Sequence, residues 1–394
     1  MLYTNYTEDL LGLKDVIVTN VENVDGESRI YLNTRLQMQV CPNCRHETKR
    51  IHSYRMQPVK DLPLFGLRSI LYLKKRRYFC PHCGKVFSER ISFLPKYQRN
   101  TTRLHFHVID SFRSEYSTKS IAALHNISSS VAVRMLDRVS YPRPNLPPVI
   151  SIDEFKGNAG GQKFQCILAD PKRRKVLDIL PSRRSEDLYA YFLSYSRQER
   201  NNVRYIVMDM SLLFREVMLA CFPNAQIITD KFHVCRHVTW SLESIRKQEQ
   251  KKFSDERRKY FKKSRWLLLR KKDSLTEDNL LQLENMLAIS PKLREGYWLK
   301  EKFYYFMQSN NLDEAKARLK EWNLCAGVAN LEEFNKCFQT INRWQPYILR
   351  AFSLGYSNGY TEGTNNRIKV LKRNCYGVRN FERFRNRILH MMTA

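Results

Sequence analysis

The sequence predicts a multidomain mixed α/β chain: an N-terminal zinc-binding β module, a helical hairpin, and an α/β layer interrupted by a basic helical insertion. Three observations carry this. Two Cys-Pro-x-Cys pairs, Cys41/Cys44 and Cys80/Cys83, each follow a strand-like run. From Val149 to Asp230, apolar runs of strand length alternate with helical stretches, the pattern of an α/β layer. Residues 241–344 change to helical periodicity, and from Glu243 to Lys272 thirteen Lys or Arg stand against four acids. The expected boundaries are 1–95 for the β module, 96–145 for the helical hairpin and 146–240 for the first part of the α/β core. The insertion follows at 241–344, and the final helices of the core at 345–394.

Charge narrows the class of partner. The 394 residues hold 68 Lys and Arg against 39 Asp and Glu, a formal net charge of +29. With 43% hydrophobic residues the chain can bury a core, so this is a folded cationic protein and not a disordered tail. Polyanion binding is the common reason for such a balance, through attraction to phosphates. No apolar run reaches 18 residues, and the first residues, MLYTNYTEDLLGLKDV, lack the basic and apolar regions of a signal peptide. No membrane partner is expected. Nucleic acid in a cytoplasmic setting is the leading class.

In the β module, DVIVTNV and RIYLNTRLQMQV read as strands that lead into CPNC at 41–44. SILYLKKRRYF leads in the same way into CPHC at 80–83. Four thiolates in two tight turns suit tetrahedral zinc, and four sulfurs close the site, so the ion would be structural. The pairs are separated by 35 residues, so a hairpin or a larger insertion must bring them together. His46, His52 and His82 lie nearby and read most simply as surface residues. Cys44 is followed by Arg45 where a zinc knuckle usually has Gly, which predicts a less regular turn. The other six cysteines are scattered, as small core residues of a reducing compartment are.

STKSIAALHNISSSVAVRMLDRV (117–139) divides into two short helices. Thr118 or Ser120 caps the first, His125-Asn126 makes the turn, and Ser128 caps the second. Ile121, Leu124, Ile127, Val131 and Leu136 form the expected seam. Ser129, Ser130, Arg134 and Arg138 are left exposed on the second helix, as in a helix-turn-helix that reads DNA. YPRPNLPPV (141–149) supplies a proline-rich linker. In the insertion, Phe253, Tyr260, Phe261 and Trp266 interleave the charges, a pattern that suits nucleic acid.

Three carboxylates stand where packing does not require them. Asp153 ends the run VISIDEF and Asp209 ends YIVMD, both at the rim of the predicted sheet. Glu362 is the only acid in YSNGYTEGTNNRIKVLKRN, at the head of a segment with eight Lys or Arg from Gly363 to His390. A glutamate in a first helical turn complements the helix dipole. The three together form an oxygen ligand set suited to Mg²⁺, and two such ions about 4 Å apart would act on a phosphate.

The set resembles the DDE triad of transposases and integrases with a ribonuclease H-like fold. CPNC…CPHCGKVFSER, IDEF, MDMS, TDKFHV and TEGTNNRIKVLKR, in this order and nearly end to end, resemble the ISL-three family of bacterial insertion-sequence transposases. The resemblance implies a ribonuclease H-like core with Asp153, Asp209 and Glu362 as ligands to Mg²⁺ or Mn²⁺. It favours Asp153 over the adjacent Glu154, which strand alternation alone cannot separate. Asp230 and His233 resemble an Asp-x-x-His motif of several DDE groups and would be accessory residues. The implied partners are double-stranded DNA, as terminal inverted repeats and target, and further copies of the chain assembled on that DNA. Arg367, Lys369, Lys372 and Arg373 would hold the DNA backbone. The rival readings are a non-catalytic zinc and helix-turn-helix regulator, which leaves the strand-end acids unexplained, and a nuclease or resolvase of the same fold.

Overall fold

A computed structural model describes residues 11–263 and 265–393. They form two compact units, one of residues up to Tyr141 together with those from Val370 onward, the other Pro142–Lys369. Among the described residues no helix is long and apolar enough to cross a membrane. The chain is a mixed α/β protein with a sheet-rich N-terminal region and a helical C-terminal part.

The first unit opens with β1 (Val16–Val24), β2 (Glu27–Thr34), β3 (Gln39–Val40), β4 (Glu47–Thr48), β5 (Ile51–Lys60), β6 (Arg68–Phe79) and β7 (Val86–Ser88). The main sheet runs β1-β2-β6-β5, with β7 on β6, and β3 pairs with β4. Every second residue of β2 is buried, so one face of the strand packs on the core. Ile30 and Leu32 meet Val16, Val18, Val59, Leu71 and Leu73 there. The antiparallel pair β5/β6 is the hairpin that spans the gap between the cysteine pairs.

Helices α1 (Thr102–Ser111), α2 (Thr118–Leu124) and α3 (Ser129–Leu136) follow. Ser128 caps α3 as expected, its hydroxyl accepting from the Val131 amide. The cap of α2 is Ser117, not Thr118 or Ser120, because Ser117 is the last extended residue before the helix. Ile121, Ile127 and Leu136 are buried in the seam with Ala122 and Met135. Leu124 is 57% exposed: it ends α2, and the chain has already turned away from the seam. The C-terminal helix Phe381–Met392 returns to this helix group. Its Arg387 is buried, and the guanidinium donates to the carbonyls of Phe112, Ser114 and Tyr116, closing the loop between α1 and α2.

The second unit begins with β8 (Val149–Phe155), β9 (Gln165–Asp170), β10 (Lys175–Leu180), α4 (Ser185–Leu193), α5 (Arg197–Asn201) and β11 (Tyr205–Met208). Next come α6 (Leu212–Cys221), β12 (Gln226–Thr229) and α7 (Lys231–Glu249). The sheet order is β10-β9-β8-β11-β12. β10, β9 and β8 are antiparallel neighbours, whereas β11 is parallel to both β8 and β12. β8 is central and covered on both faces, which is why VISIDEF reads as a nearly continuous apolar run.

The helical segment contains α8 (Asp255–Lys263), α9 (Arg265–Leu269), α10 (Glu277–Ile289), α11 (Pro291–Met307), α12 (Leu312–Ala329) and α13 (Glu332–Leu354). α14 (Gly359–Asn374) comes after it. One hydrophobic cluster runs from Ile152 and Met208 in the sheet, through Val238 and Leu242 of α7, to Phe303, Trp322 and Trp344. The interleaved aromatics therefore divide. Phe261 is fully buried against Phe253, while Tyr260 and Trp266 remain partly exposed.

Lys300 of α11 is fully buried. Its ammonium donates to the carbonyls of Leu268 and Arg270 at 2.9 and 2.6 Å, pairs with Glu301, and sits 4.1 Å from the Tyr297 ring centre. It thus satisfies carbonyls that the end of α9 leaves open. Breaking a buried pair of this kind costs about 3 kcal/mol or more. Lys300→Met should lower the denaturant midpoint of the full chain accordingly, and an unchanged midpoint would show the ammonium to be dispensable.

Candidate active site and metal centres

The sheet places the first two acids side by side. β8 and β11 are parallel with Ser151 opposite Val207, so Asp153 and Asp209 emerge at the same sheet end. Asp209 accepts the Ser211 amide at 3.0 Å, which shapes the turn into α6. Glu362 comes from the first turn of α14. Two side-chain hydrogen bonds tie that helix to β8: Ser151 with Thr361 at 2.8 Å, and the Asn365 amide donating to Asp153 at 2.8 Å. Asp230 adds a third restraint, its carboxylate accepting the backbone amide of Asn358 just ahead of α14.

Asp153, Asp209 and Glu362 consequently line one cavity of about 370 Å³, with Glu154, His233, Asn365 and Lys369. Phe232, Arg236, His237 and Trp240 of α7 also line it, with Met210. Of the four basic residues expected at the backbone of DNA, only Lys369 is among the lining residues; Arg367, Lys372 and Arg373 are not. Asp230 is not among the lining residues and holds the start of α14 through the Asn358 amide. Asn365, Arg236, His237 and Trp240 are residues that reading the sequence missed. The signal for Asn365 was its place one helical turn after Glu362, and for His237 and Trp240 their spacing after His233 on α7.

The cavity offers carboxylate oxygens, donors that a hard cation takes, but does not gather them as closely as the cysteine sulfurs are gathered. Burial pushes the Asp153 carboxyl up from 3.8 to about 6, against the Glu154 amide and the His233 imidazole, which work to lower it. Burial also raises Asp209 and Asp230. Glu154 pairs with Arg183 at 2.6 Å. The buried Asn365 Oδ1 lacks a hydrogen-bond partner among the described residues, adding another oxygen to the carboxylates. A raised carboxyl pKa contributes stability that is present at low pH and lost as pH rises through the folded value. Without added Mg²⁺, the chain should lose stability between about pH 4 and pH 6 as Asp153 ionises beside its neighbouring acids. Asp153→Asn should remove that loss, so the variant should melt above the wild type at pH 7 and close to it at pH 4. A variant no more stable at pH 7 would mean the carboxylate is not uncompensated.

The four cysteine sulfurs lie within 4.8 Å of one another, the one such ligand cluster among the described residues. Cys41 and Cys83 are 3.6 Å apart, Cys44 and Cys80 3.5 Å. A tetrahedron of Zn–S bonds has edges of roughly 3.8 Å, so the sulfurs stand close to ligand positions. Thiols this close cannot all ionise without a cation between them. The Lys85 amide and Asn43 pull Cys83 down to about 6. Cys44, although the His46 amide works to lower it, is pushed up to about 12 by desolvation and its sulfur neighbours.

The two knuckles share one hydrogen-bond pattern: Arg45 and Gly84 donate to Cys41 and Cys80, which donate to His46 and Lys85. The turn at Cys44 is therefore as regular as its partner. Arg45 achieves this by adopting the left-handed backbone, with φ of 61° against 70° for Gly84. His46 and His82 stack on each other outside the sulfur set. Arg45→Gly should raise the stability of the zinc-loaded module by about 1 kcal/mol, by removing the left-handed cost of a side chain. Cys80→Ser should instead lower zinc content by elemental analysis, and an unchanged content would dismiss the four-sulfur set.

Ser129, Ser130, Arg134 and Arg138 are all exposed on or just beyond α3. Arg134 and Arg138 border a cleft between α3 and β5, with Lys60 and Arg99 on its rim.

Comparison with known proteins agrees with this arrangement. Residues 150–388 match a family model for transposases, the DDE domain of ISL3 type, and residues 37–83 match the zinc-finger of the transposases of IS204, IS1001, IS1096 and IS1165. The chain is 27% identical to the transposase for insertion sequence element IS1001 of Bordetella parapertussis, over 98% of this chain and 97% of the relative. It is 22% identical to the transposase for IS1557 of Mycobacterium tuberculosis, over 58% and 56% of the two chains. A stretch of 115 residues is 35% identical to an ATP-dependent protease of Lactococcus lactis. That match covers 29% of this chain and 35% of the relative, too little to carry an activity across. The zinc-finger match and the four-sulfur cluster together support a structural zinc. With its core matched throughout and a relative aligned almost end to end, the chain belongs to the ISL3 family of insertion-sequence transposases.

Proposed function

We propose that the chain cleaves and joins DNA through a DDE triad of Asp153, Asp209 and Glu362, on a core of ribonuclease H type. The observation that carries this is the meeting of three acids, from two strand ends and a helix far along the chain, in one cavity edged by cations. The sheet order β10-β9-β8-β11-β12, with three antiparallel strands followed by two parallel ones, supports the ribonuclease H reading. The three carboxylates would hold Mg²⁺ or Mn²⁺, which supplies Lewis acidity at the scissile phosphate and favours deprotonation of the attacking group.

The chain's own residues have separable tasks. Asn365 fixes the rotamer of Asp153, and Asp230 fixes the start of α14, so both are positioning residues. His233 lines the cavity beside the acids and would act as an accessory residue near the reacting phosphate. Arg236 and Lys369 would bind the DNA backbone at the cavity, drawing the polyanion toward an otherwise acidic site. Ser129, Ser130, Arg134 and Arg138 would contact the terminal inverted repeats, and the exposed cations of α14 the adjoining backbone. Water would attack at the element end, and the freed 3′-OH would then attack target DNA. Two ends must be brought together for this, which favours assembly of several copies on DNA.

Charge removal at constant shape tests the triad. Glu362→Gln should keep binding to the DNA that flanks the coding sequence, yet lose cleavage and strand transfer by on the order of a hundredfold or more. Asp153→Asn and Asp209→Asn should do the same, and the losses should not multiply because each disables one shared site. Asp230→Asn should be milder, acting through the position of α14. Wild-type joining by Glu362→Gln would return that residue to the role of a helix-start acid.

A further inference from the structure

Helix α7 meets its need for burial with one face: Val234, Val238, Leu242 and Ile245 lie in the core. The face toward the candidate active site carries Phe232, Arg236 and Trp240 at spacings of four, with His233 and His237 beside them. Phe232 is 53% exposed and Trp240 54%, whereas the core tryptophans Trp322 and Trp344 are almost fully enclosed. Neither ring on α7 is there to fill the core. Each is held in place, however. The Arg236 guanidinium lies 4.7 Å from the Trp240 ring centre, and His237 meets the indole edge-on at 5.5 Å. His233 meets Phe232 edge-on at 5.8 Å.

An acidic, cation-edged cavity has no use for two exposed rings if its substrate offers only phosphates. In a duplex the faces of the bases are covered by their neighbours, so only an unstacked base presents a face to an aromatic wall. A cavity of about 370 Å³ is within the range that takes a small ligand, and so has room for one nucleotide. We propose that Trp240 and Phe232 form a stacking station for an unpaired base next to the scissile phosphate, so that the DNA enters this site locally unpaired. The proposal rests on the reading of the cavity as the site of DNA cleavage. Arg236 then has two tasks, lying on the indole and meeting the phosphate of the same nucleotide.

The test uses the full chain, zinc-loaded and without added Mg²⁺. Its probes are a duplex with one unpaired 2-aminopurine and the same duplex fully paired. The wild type should bind the unpaired probe roughly tenfold more tightly and quench its fluorescence, as stacking does. Trp240→Ala should abolish the quenching and most of the preference while leaving affinity for the paired duplex in place. Trp240→Phe should restore part of both, and Phe232→Ala should reduce them independently. Unchanged quenching in Trp240→Ala, or an equal loss of affinity for both probes, would overturn the proposal. The Glu362→Gln cleavage assay separates the two readings. Stacking with undiminished cleavage by that variant would remove the catalytic assignment alone, whereas lost cleavage without stacking would remove only the station.

Discussion

The candidate site depends on the hydrogen bonds that fasten α14 to the central strand β8. Ser151 meets Thr361 and Asp153 meets Asn365, so the strand that carries the first acid also holds the helix that carries the third. Asp230 restrains the same helix at its start through the Asn358 amide. The apolar anchors of α14, Ile368 and Leu371, are buried further along the helix, while these polar contacts lie beside Glu362 itself. All three restraints are buried polar contacts, which are strong only while every partner is present. The geometry of the site is therefore bound to the residues TEGTNN as a unit and not to Glu362 alone.

Charge is arranged in opposition. A chain of net charge +29 gathers several acids around one cavity, and burial raises two of them above their ordinary range. The folded protein carries this unfavourable local field as strain that a bound cation would relieve. Glu154 pairs with Arg183, whereas Asp153 accepts a hydrogen bond from the neutral Asn365 amide. In the zinc centre the same logic operates with sulfur, where two congruent knuckles bring four thiols within ligand distance.

Much of this was legible in the sequence because its signals are local. The cysteine pairs and the Ser128 cap each depend on a few neighbouring residues and lie where spacing and periodicity put them; Asp209 follows its strand as expected, whereas Asp153 lies two residues inside the end of β8. Burial was harder to read. Leu124 has the periodicity of a seam residue but ends its helix, and Phe261 looks like a nucleic-acid contact but belongs to the core. Both depend on what packs opposite, which periodicity does not report. Asn365 and Trp240 were missed for a related reason. Their roles follow from the tertiary approach of α14 to β8 and of α7 to the acids, which helical spacing from Glu362 and His233 points to but does not fix. The return of Arg387 to the α1–α2 loop is likewise a contact across more than 270 residues.

The central claim is that Asp153, Asp209 and Glu362 act as one divalent-ion site. Electron paramagnetic resonance of Mn²⁺ titrated into the zinc-loaded full chain tests it without reliance on activity. The account predicts saturable Mn²⁺ binding in the wild type that is greatly weakened by Asp153→Asn, by Asp209→Asn and by Glu362→Gln, and little changed by Glu154→Gln. Mn²⁺ binding of wild-type strength in Glu362→Gln would contradict it.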